Sequence, residues 1–259
     1  MKRIHLFEIE DQDWCPRVLR DAATDYLRFV SLTTKPYAAI VPILASALQR
    51  AGKGQIVDLC SGAAGPWSWL QPALAVMGLH VSVCLTDKYP NLAVSEEFNR
   101  GTNPAIRYHP QSVEAAQVPR ELRGFRTMFT AFHHFAPQKA SAVLADAVRQ
   151  GEGIAVFEAT ERSLLGLLLM LLAPLMVLVM TPFIRPFHWS RLLWTYLIPL
   201  VPMVLLVDAV VSCLRTYSLA ELAELTGKIG AEDYQWEIGS RKNNRAPLRV
   251  TYLIGIPKP

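Results

Sequence analysis

The segment QIVDLCSGAAGPWSW, residues 55–69, constrains the fold more than any other part of the sequence. An apolar strand over residues 56–59 is followed by a turn of small residues at 61–65, and a helix is expected to begin at Pro66. Small residues let backbone N–H groups approach a ligand closely, and the N-terminus of a helix favours negative charge. The pattern therefore predicts a nucleotide-binding loop between a strand and a helix of an α/β sheet.

A second strand, expected over residues 80–86, ends in Asp87, about 20 residues beyond the turn. In a doubly wound sheet, a carboxylate at that position binds ribose hydroxyls. A nicotinamide dinucleotide would require glycine at positions 60, 62 and 65, and this chain has Cys60. The pattern therefore favours a different nucleotide ligand, and an ordinary strand-to-helix turn is the alternative.

Asp58 directly precedes the turn, and with it the loop resembles the first motif of the class I S-adenosylmethionine (SAM) methyltransferases. The commonest form of that motif is Asp-x-Gly-x-Gly-x-Gly, and Cys60 and Ala64 replace two of its glycines here. The resemblance implies SAM as cofactor, with its methionine half on the loop and its ribose on the acid after the second strand. The cofactor-binding residues implied are Asp58, Ser61, Gly62, Ala63 and Gly65 at the methionine end, Asp87 and Lys88 at the ribose, Gln111 or Ser112 at the adenine, and Ala131 and Phe132 beneath the sulfonium.

The order of the remaining elements is similar to that of the same family. Further strands are expected at residues 106–108, 126–132, 153–157, 234–240 and 248–256. The last two strands, joined by the polar turn RKNNRAP, would close the sheet as an antiparallel pair. Ser218 and Glu221 have the spacing of a capping box for a helix at 219–226. The sequence predicts an α/β fold: a Rossmann-like, doubly wound, seven-stranded sheet with a C-terminal antiparallel strand pair, N-terminal helices and an inserted hydrophobic helical hairpin.

Three regions are expected: an N-terminal helical cap (1–52), a SAM-binding methyltransferase domain (53–162 and 212–259) and a hydrophobic helical insertion (163–211). The resemblance implies that helices of such a cap close over the cofactor and help to form the substrate pocket. Its candidates for substrate contact are Trp14, Tyr26 and Tyr37, with Glu158 at the end of the fifth strand as a fourth. The alternative for the aromatic residues is that they belong to the core.

His133 and His134 follow the predicted fourth strand, at the edge of the sheet where ligands bind. A histidine has a pKa suited to general-base catalysis near neutral pH, so either residue is a candidate to take a proton from an acceptor hydroxyl. The alternative is that the pair caps the next helix or binds the backbone of the loop. No third ligand stands nearby at suitable spacing, so no metal site is expected.

The insertion contains two long uncharged runs, one of 21 residues (164–184) and one of 16 (192–207), separated by RPFHWSR. A run of 18 or more apolar residues is long enough to span a bilayer. However, both runs contain prolines, and two arginines on the far side would oppose the positive-inside rule. We therefore expect a monotopic or re-entrant hairpin, with Trp189, Trp194, Tyr196, Arg185 and Arg191 near the lipid headgroups. A two-pass hairpin and a soluble apolar cap remain as alternatives.

The net charge of +4 is spread over the chain without a basic stripe, so a nucleic-acid partner is not expected. The four cysteines show no paired spacing, which indicates reduced thiols in the cytosol. The location of the insertion predicts a hydrophobic or lipid-like acceptor and membrane contact through residues 164–207. The expected function is a SAM-dependent methyltransferase at the cytoplasmic face of the membrane. The alternatives are a membrane-anchored binding or scaffold protein with a degenerate SAM site and a soluble cytoplasmic methyltransferase with a hydrophobic lid; a homo-oligomer also stays open.

Overall fold

The computed structural model describes residues 1–230, 232–243 and 247–258. Its strands are β1 (Gln55–Leu59), β2 (Ser82–Leu85), β3 (Ile106–Tyr108), β4 (Phe125–Phe129), β5 (Ile154–Glu158), β6 (Tyr234–Lys242) and β7 (Arg249–Pro257). Its α-helices are α1 (Arg17–Thr34), α2 (Val41–Ala51), α3 (Trp67–Val76), α4 (Leu92–Arg100), α5 (Pro137–Arg149), α6 (Leu164–Met170), α7 (Ala173–Met180), α8 (Trp189–Leu192), α9 (Leu200–Arg215) and α10 (Leu219–Ile229).

The strands form one mixed sheet in the order β3-β2-β1-β4-β5-β7-β6. Strands β1 to β5 are parallel, and β7 runs antiparallel to both β5 and β6. Parallel strands are covered on both faces and therefore need mostly apolar side chains, as in β5, where every residue is buried and all but Glu158 are apolar. The sheet is the predicted Rossmann-like, doubly wound, seven-stranded sheet with its closing antiparallel pair, so the prediction of the sheet and its flanking helices is confirmed.

The fourth strand is shorter than predicted, because β4 ends at Phe129 rather than at Phe132. Thr130 has a φ of +46°, which turns the chain out of the strand, and residues 132–134 form a single 3-10 turn. The N–H groups of Phe132 and His133 donate to the Glu158 carboxylate (2.7 and 3.3 Å) instead of continuing the sheet. At the other end of the chain, the predicted turn RKNNRAP lies partly outside the described residues.

Apolar clusters cover both faces of the sheet. One face packs against α2 and α3 through side chains such as Leu44 and Trp67, and the other packs against α5 and α10. Helix α10 begins with the predicted capping box, in which the side chains of Ser218 and Glu221 each accept from the other residue's backbone N–H. These helices fix the carboxyl ends of the parallel strands as one rigid edge.

The insertion between β5 and α10 is helical and is tied to α1. Helix α7 packs on α9, and a separate apolar cluster joins α1 to α7 and α9, with Tyr26 and Val177 among its buried members. Arg191 in α8 is 5% exposed and forms an ion pair with Asp25 of α1. A buried guanidinium needs a carboxylate partner, and Asp25 supplies it. The placement of Arg191 near lipid headgroups stays a prediction.

A large apolar surface of the insertion remains exposed. One helical segment of 20 residues, Leu164–Phe183, has a mean hydropathy of 2.6 and is long and apolar enough to cross a membrane. Only 17% of its most apolar stretch is buried inside the protein. Two bent pairs of helices meet the same limits of length and composition when each pair is taken as one span. These pairs are Arg17–Thr34 with Ala38–Ala51 and Trp189–Leu197 with Leu200–Arg215. The more exposed apolar side chains of the insertion include Leu164, Leu165, Leu168, Leu171, Leu172, Leu175, Val179, Phe183, Trp189, Leu197 and Met203. Apolar patches of this kind mark interaction surfaces.

Candidate functional site

A cavity of about 1100 Å³ lies at the carboxyl ends of the parallel strands. The loop after β1 forms one wall, residues of the N-terminal segment and α1 cover it, and the insertion adds Leu169, Met170 and Met176. Small-molecule sites usually have volumes of roughly 300–1000 Å³. This cavity is therefore large enough for a nucleotide-sized ligand together with a second molecule.

Asp58 shapes the loop after β1 and does not line the cavity. Its side chain is 2% exposed and accepts hydrogen bonds from the hydroxyls of Ser61 and Thr127, each at 2.6 Å. Burial raises the pKa of Asp58 to about 6, and the two hydroxyl donors act against that rise. Ser61 in turn accepts from the N–H of Thr86 at the end of β2. Asp58 thus joins the ends of β1, β2 and β4 and presents the loop to the cavity.

The two residues that replace motif glycines have glycine-like backbone conformations. Cys60 and Ala64 have φ values of +56° and +78°, close to the +50° and +48° of Gly62 and Gly65. A left-handed residue with a Cβ costs roughly 1–2 kcal/mol relative to glycine. The loop therefore keeps the shape that the glycine-rich motif implies, at a cost in stability.

This strain can be measured by comparing Ala64→Gly with Ala63→Gly. Both alanines are buried, at 0% and 3% exposure, so both variants lose a buried methyl group and gain backbone entropy in the unfolded chain. Only Ala64 has a positive φ, so only Ala64→Gly relieves left-handed strain. We expect the free energy of unfolding to be about 1–2 kcal/mol higher for Ala64→Gly than for Ala63→Gly in urea titrations. Equal values for the two variants would show that the loop does not hold Ala64 in this conformation.

Asp87 lines the cavity where the resemblance implies the ribose carboxylate. Its two oxygens accept from the N–H groups of Gly62 and Tyr89, both at 2.8 Å. Burial raises the pKa of Asp87, and these two N–H donors act against the rise. Each carboxylate oxygen can accept a further hydrogen bond, so Asp87 can hold the loop and a ligand hydroxyl together.

The other implied cofactor residues fall partly inside the cavity. Its lining includes Ser61, Gly62, Ala63, Gly65, Lys88 and Ala131. Gln111 and Ser112 are exposed outside it, and Val113 and Glu114 line it in their place, because the loop turns inward where the N–H of Val113 donates to the carbonyl of Asp87. Phe132 is fully buried behind the cavity. Phe129 and Thr130, which the sequence predicts to lie within the fourth strand, line the cavity instead.

Thr130 holds a strained position at the end of β4. Its φ of +46° is unusual for a β-branched residue, and its hydroxyl bonds the Tyr37 hydroxyl (2.6 Å) and accepts from the N–H of Ala159 (3.0 Å). Tyr37 also packs edge-on against Phe129, with ring centroids 5.0 Å apart. These contacts fix an aromatic wall beside the loop.

The structure places the four candidates for substrate contact in different surroundings. Tyr37 lines the cavity. Trp14 is 65% exposed outside it, and Tyr26 is buried in the cluster between α1 and the insertion. Glu158 is buried beneath the loop after β4, where it binds His133. Only Tyr37 therefore has the position for direct contact with a molecule in the cavity, because α1 turns Tyr26 toward the insertion.

The two adjacent histidines have different surroundings. His133 is 1% exposed and does not line the cavity; its Nδ1 lies 2.7 Å from Glu158 Oε2. His134 does line the cavity, and its Nδ1 lies 2.7 Å from Asp11 Oδ1. Burial by itself lowers the pKa of His134, but the carboxylates of Glu8 and Asp11 more than offset that effect and raise the pKa to about 10. An imidazolium has no lone pair for a substrate proton, so His134 in this state is a charged group rather than a base.

Residues of the N-terminal segment are the main part of the site that the sequence did not reveal. Glu10, Asp11 and Gln12 line the cavity, and the N–H groups of Ile9 and Glu10 donate to Asp208 of α9. Arg215, at the end of α9, forms ion pairs with Glu8 and Asp11. The acidic run EIEDQD, residues 8–13, is the sequence feature that could have pointed to these residues, but only the fold brings it close to the two histidines.

Neither a protein-family model nor a curated protein matches the amino-acid sequence. Solved structures do resemble the fold. The plantazolicin methyltransferase BpumL in complex with SAH aligns with a TM-score of 0.54 and 9% identity, over 93% of this chain and 96% of that chain. The plantazolicin methyltransferase BamL, bound to a triazolic desmethylPZN analog and SAH, aligns with a TM-score of 0.51 and 10% identity, over 93% and 98%.

A protein from Rhodobacter sphaeroides, provisionally named a Zn-dependent alcohol dehydrogenase, aligns with a TM-score of 0.53 and 13% identity, over 93% of this chain and 98% of that chain. At such identities a likeness shows the fold and not the chemistry, since one fold hosts different activities. The sheet order, the closing strand pair and these alignments show that the chain has the Rossmann-like fold of the class I SAM-dependent methyltransferases.

Proposed function

We propose that the protein is a SAM-dependent methyltransferase that methylates a hydrophobic, membrane-borne small molecule. One observation carries the proposal: a single cavity joins the loop after β1 and Asp87 to apolar side chains of the insertion. The loop and Asp87 are the groups expected for SAM, and the apolar side chains of the insertion suit an apolar acceptor. Their continuity supports a function in which the two molecules meet.

The residues of the cavity fit SAM. Small residues line the loop, and a Cβ at Gly65 would meet no atom within 4 Å, so a ligand can approach the backbone there. Asp87 has lone pairs left for ribose hydroxyls after accepting its two N–H groups. The rings of Tyr37 and Phe129 suit a sulfonium cation, because aromatic faces attract positive charge. Val113 and Glu114 are the candidates for the adenine side.

When bound, SAM supplies an electrophilic methyl group that passes to an acceptor nucleophile as the carbon–sulfur bond breaks. The contribution of this chain is to hold donor and acceptor in line, and such positioning can supply roughly 7–11 kcal/mol of a reaction barrier. His133 lies outside the cavity lining and His134 is held as an imidazolium, so the proposal assigns neither a proton-accepting role. A base role for them stays a prediction.

The insertion supports a membrane-borne acceptor. Leu169, Met170 and Met176 line the cavity, while their neighbours Leu168, Leu172 and Leu175 are more than half exposed. The ion pair of Arg191 with Asp25 ties α8 back to α1, so the insertion lies along the domain instead of projecting from it. We therefore favour a monotopic insertion at the cytoplasmic face, where an amphipathic surface rests in the interface and an apolar molecule can enter the cavity from the bilayer.

Calorimetric titration of the detergent-purified protein with SAM and, separately, with its demethylated product SAH tests the cofactor. We expect both to bind with micromolar affinity. A screen of lipophilic hydroxyl, amine and acid acceptors with methyl-labelled SAM then tests transfer. If folded protein binds neither nucleotide, the methyltransferase proposal fails and the binding or scaffold alternative replaces it.

A further inference from the structure

A buried cluster of metal-ligand side chains joins the N-terminal segment to the loop after β4. Glu8, His133 and His134 offer a carboxylate oxygen and two ring nitrogens that all lie within 4.8 Å of one another. Glu8 is 0% and His133 is 1% exposed. We propose that these three side chains bind a divalent metal ion with the ligand preferences of zinc.

Two buried ligand atoms of the cluster have no hydrogen-bond partner. His133 Nε2 and Glu8 Oε2 are both buried and make no hydrogen bond within the part of the chain that the structure describes, although Glu8 Oε2 has an ionic contact with His134 Nδ1 at 3.2 Å. Glu8 Oε1, in contrast, accepts from the Ser212 hydroxyl and lies 3.2 Å from the Arg215 guanidinium. An unpaired polar atom in a protein interior costs roughly 1–3 kcal/mol, and a shared metal ion would satisfy both atoms.

Glu158 prepares His133 for a metal ion. The Nδ1 of His133 lies 2.7 Å from Glu158 Oε2, and a carboxylate there keeps the proton on Nδ1. That tautomer leaves a lone pair on Nε2, which points into the cluster. Metal-binding histidines almost always donate their other ring N–H to a carboxylate, carbonyl or water, so the arrangement is that of a ligand with its supporting carboxylate.

The separation of His134 and Glu8 agrees with tetrahedral coordination. Zinc ligands at 2.0–2.1 Å from the ion are separated by about 3.3 Å. Here His134 Nδ1 lies 3.2 Å from Glu8 Oε2. His133 Nε2 lies 3.6 Å from the other oxygen, Glu8 Oε1, and completes a group of ligand atoms within 4.8 Å of one another. Asp11 Oδ1 lies 2.7 Å from His134 Nδ1 and would need to move by about 0.6 Å to serve as a fourth ligand.

The charge of the cluster also suits a dication. Three carboxylates, those of Glu8, Asp11 and Glu158, face the single guanidinium of Arg215. The nearby Arg3 guanidinium instead donates to the backbone carbonyls of Phe135 and Arg215. The His134 imidazolium adds a positive charge, and a metal ion bound at its ring nitrogen would displace that proton. Two negative charges would then be left to balance, which is the charge of one zinc ion. A bound ion would hold the N-terminal segment over the cavity independently of whether methyl transfer is the reaction.

Zinc titration of the full-length, chelator-treated protein tests the site. The metal ion must displace the proton of the His134 imidazolium, which is still bound at pH 8, so the titration is run at about pH 8 rather than below neutrality to limit proton competition. We expect one zinc ion per chain, with hydrogen exchange of residues 4–12 slowed at least tenfold on binding. Glu8→Gln and His133→Gln should each weaken binding at least tenfold, whereas the matched controls Glu121→Gln and His80→Gln, both at exposed positions outside the cavity lining, should stay within twofold.

Cobalt gives a second readout that does not depend on the variants folding. Bound Co²⁺ should show the visible bands of nitrogen and oxygen ligands without near-ultraviolet thiolate charge transfer, since the cysteines of the chain are not in the cluster. Strong thiolate charge transfer would place the metal on a cysteine and overturn the proposal. Absence of stoichiometric zinc binding by folded wild-type protein would overturn it as well, as would binding that survives in folded His133→Gln.

Discussion

Asp87→Ala should lower the affinity for SAM at least 100-fold while the protein remains folded. The substitution removes the carboxylate available to the ribose, and hydrogen bonds to a charged group contribute roughly 1.5–3 kcal/mol each. Two such bonds correspond to about 3 kcal/mol, or more than a factor of 100 in the dissociation constant. The change also leaves the N–H groups of Gly62 and Tyr89 without their acceptor, so the loop after β1 loses a support as well. Calorimetric titration measures the affinity, and circular dichroism with thermal melting reports on the fold.

The matched control is Glu96→Ala, which removes an exposed carboxylate of α4 that lies outside the cavity lining. Its SAM affinity should equal that of the wild type. Retention of wild-type affinity within a few-fold by Asp87→Ala would remove Asp87 from the proposed site. Loss of affinity in both variants would indicate a general effect of charge rather than a ribose contact.

The double variant Leu168→Glu and Leu172→Glu should reduce partitioning into phosphatidylcholine vesicles at least 100-fold. Both side chains are about half exposed on the insertion, at 54% and 51%, so the substitutions do not open the core. Fully burying one leucine side chain is worth roughly 1.5–3 kcal/mol, so two half-exposed leucines contribute about 1.5–3 kcal/mol together. The cost of taking two carboxylates out of water adds to this and brings the loss above the roughly 2.7 kcal/mol that corresponds to a factor of 100. Flotation of detergent-free protein with vesicles measures the bound fraction.

Leu92→Glu is the corresponding control, because Leu92 is 52% exposed but lies on α4, outside the insertion. It should bind vesicles as the wild type does. Wild-type protein that stays in the high-speed supernatant and does not float would reject the membrane proposal and favour the soluble methyltransferase with a hydrophobic lid. SAM binding should be unaffected in every case, since these leucines do not line the cavity.

The loop after β1 shows how far local sequence can carry a prediction. The sequence directly predicts the positions of Asp58, the small residues after it and Asp87, because a strand, a turn and a helix N-terminus form from neighbouring residues. The loss of two motif glycines at Cys60 and Ala64 left the loop open to another interpretation. The φ values of both residues show that each adopts the left-handed conformation that glycine would take, while the choice between these interpretations stays a prediction.

The histidine pair shows where local sequence fails. His133 and His134 are adjacent and were equal candidates for a catalytic base. In the structure one is buried on Glu158 and the other faces the cavity as a charged group on Asp11. The expectation of no metal rested on the absence of a third ligand nearby in the sequence, and Glu8 comes from the N-terminal segment. Neither the protonation of these side chains nor their partners can be read from spacing, because both depend on groups distant in the chain.

The sequence alone determined the α/β architecture, the place of the loop between β1 and α3 and the position of the long uncharged runs. These features follow from hydrophobic periodicity, turn residues and capping pairs, which act over a few residues. Only the tertiary structure decided that Arg191 pairs with Asp25, that Val113 rather than Gln111 lines the cavity, and that acidic residues of the N-terminal segment surround the histidines. Such contacts depend on desolvation and on electrostatic attraction between groups that the folded chain brings within a few ångströms, so they exist only after the sheet and its helices have packed.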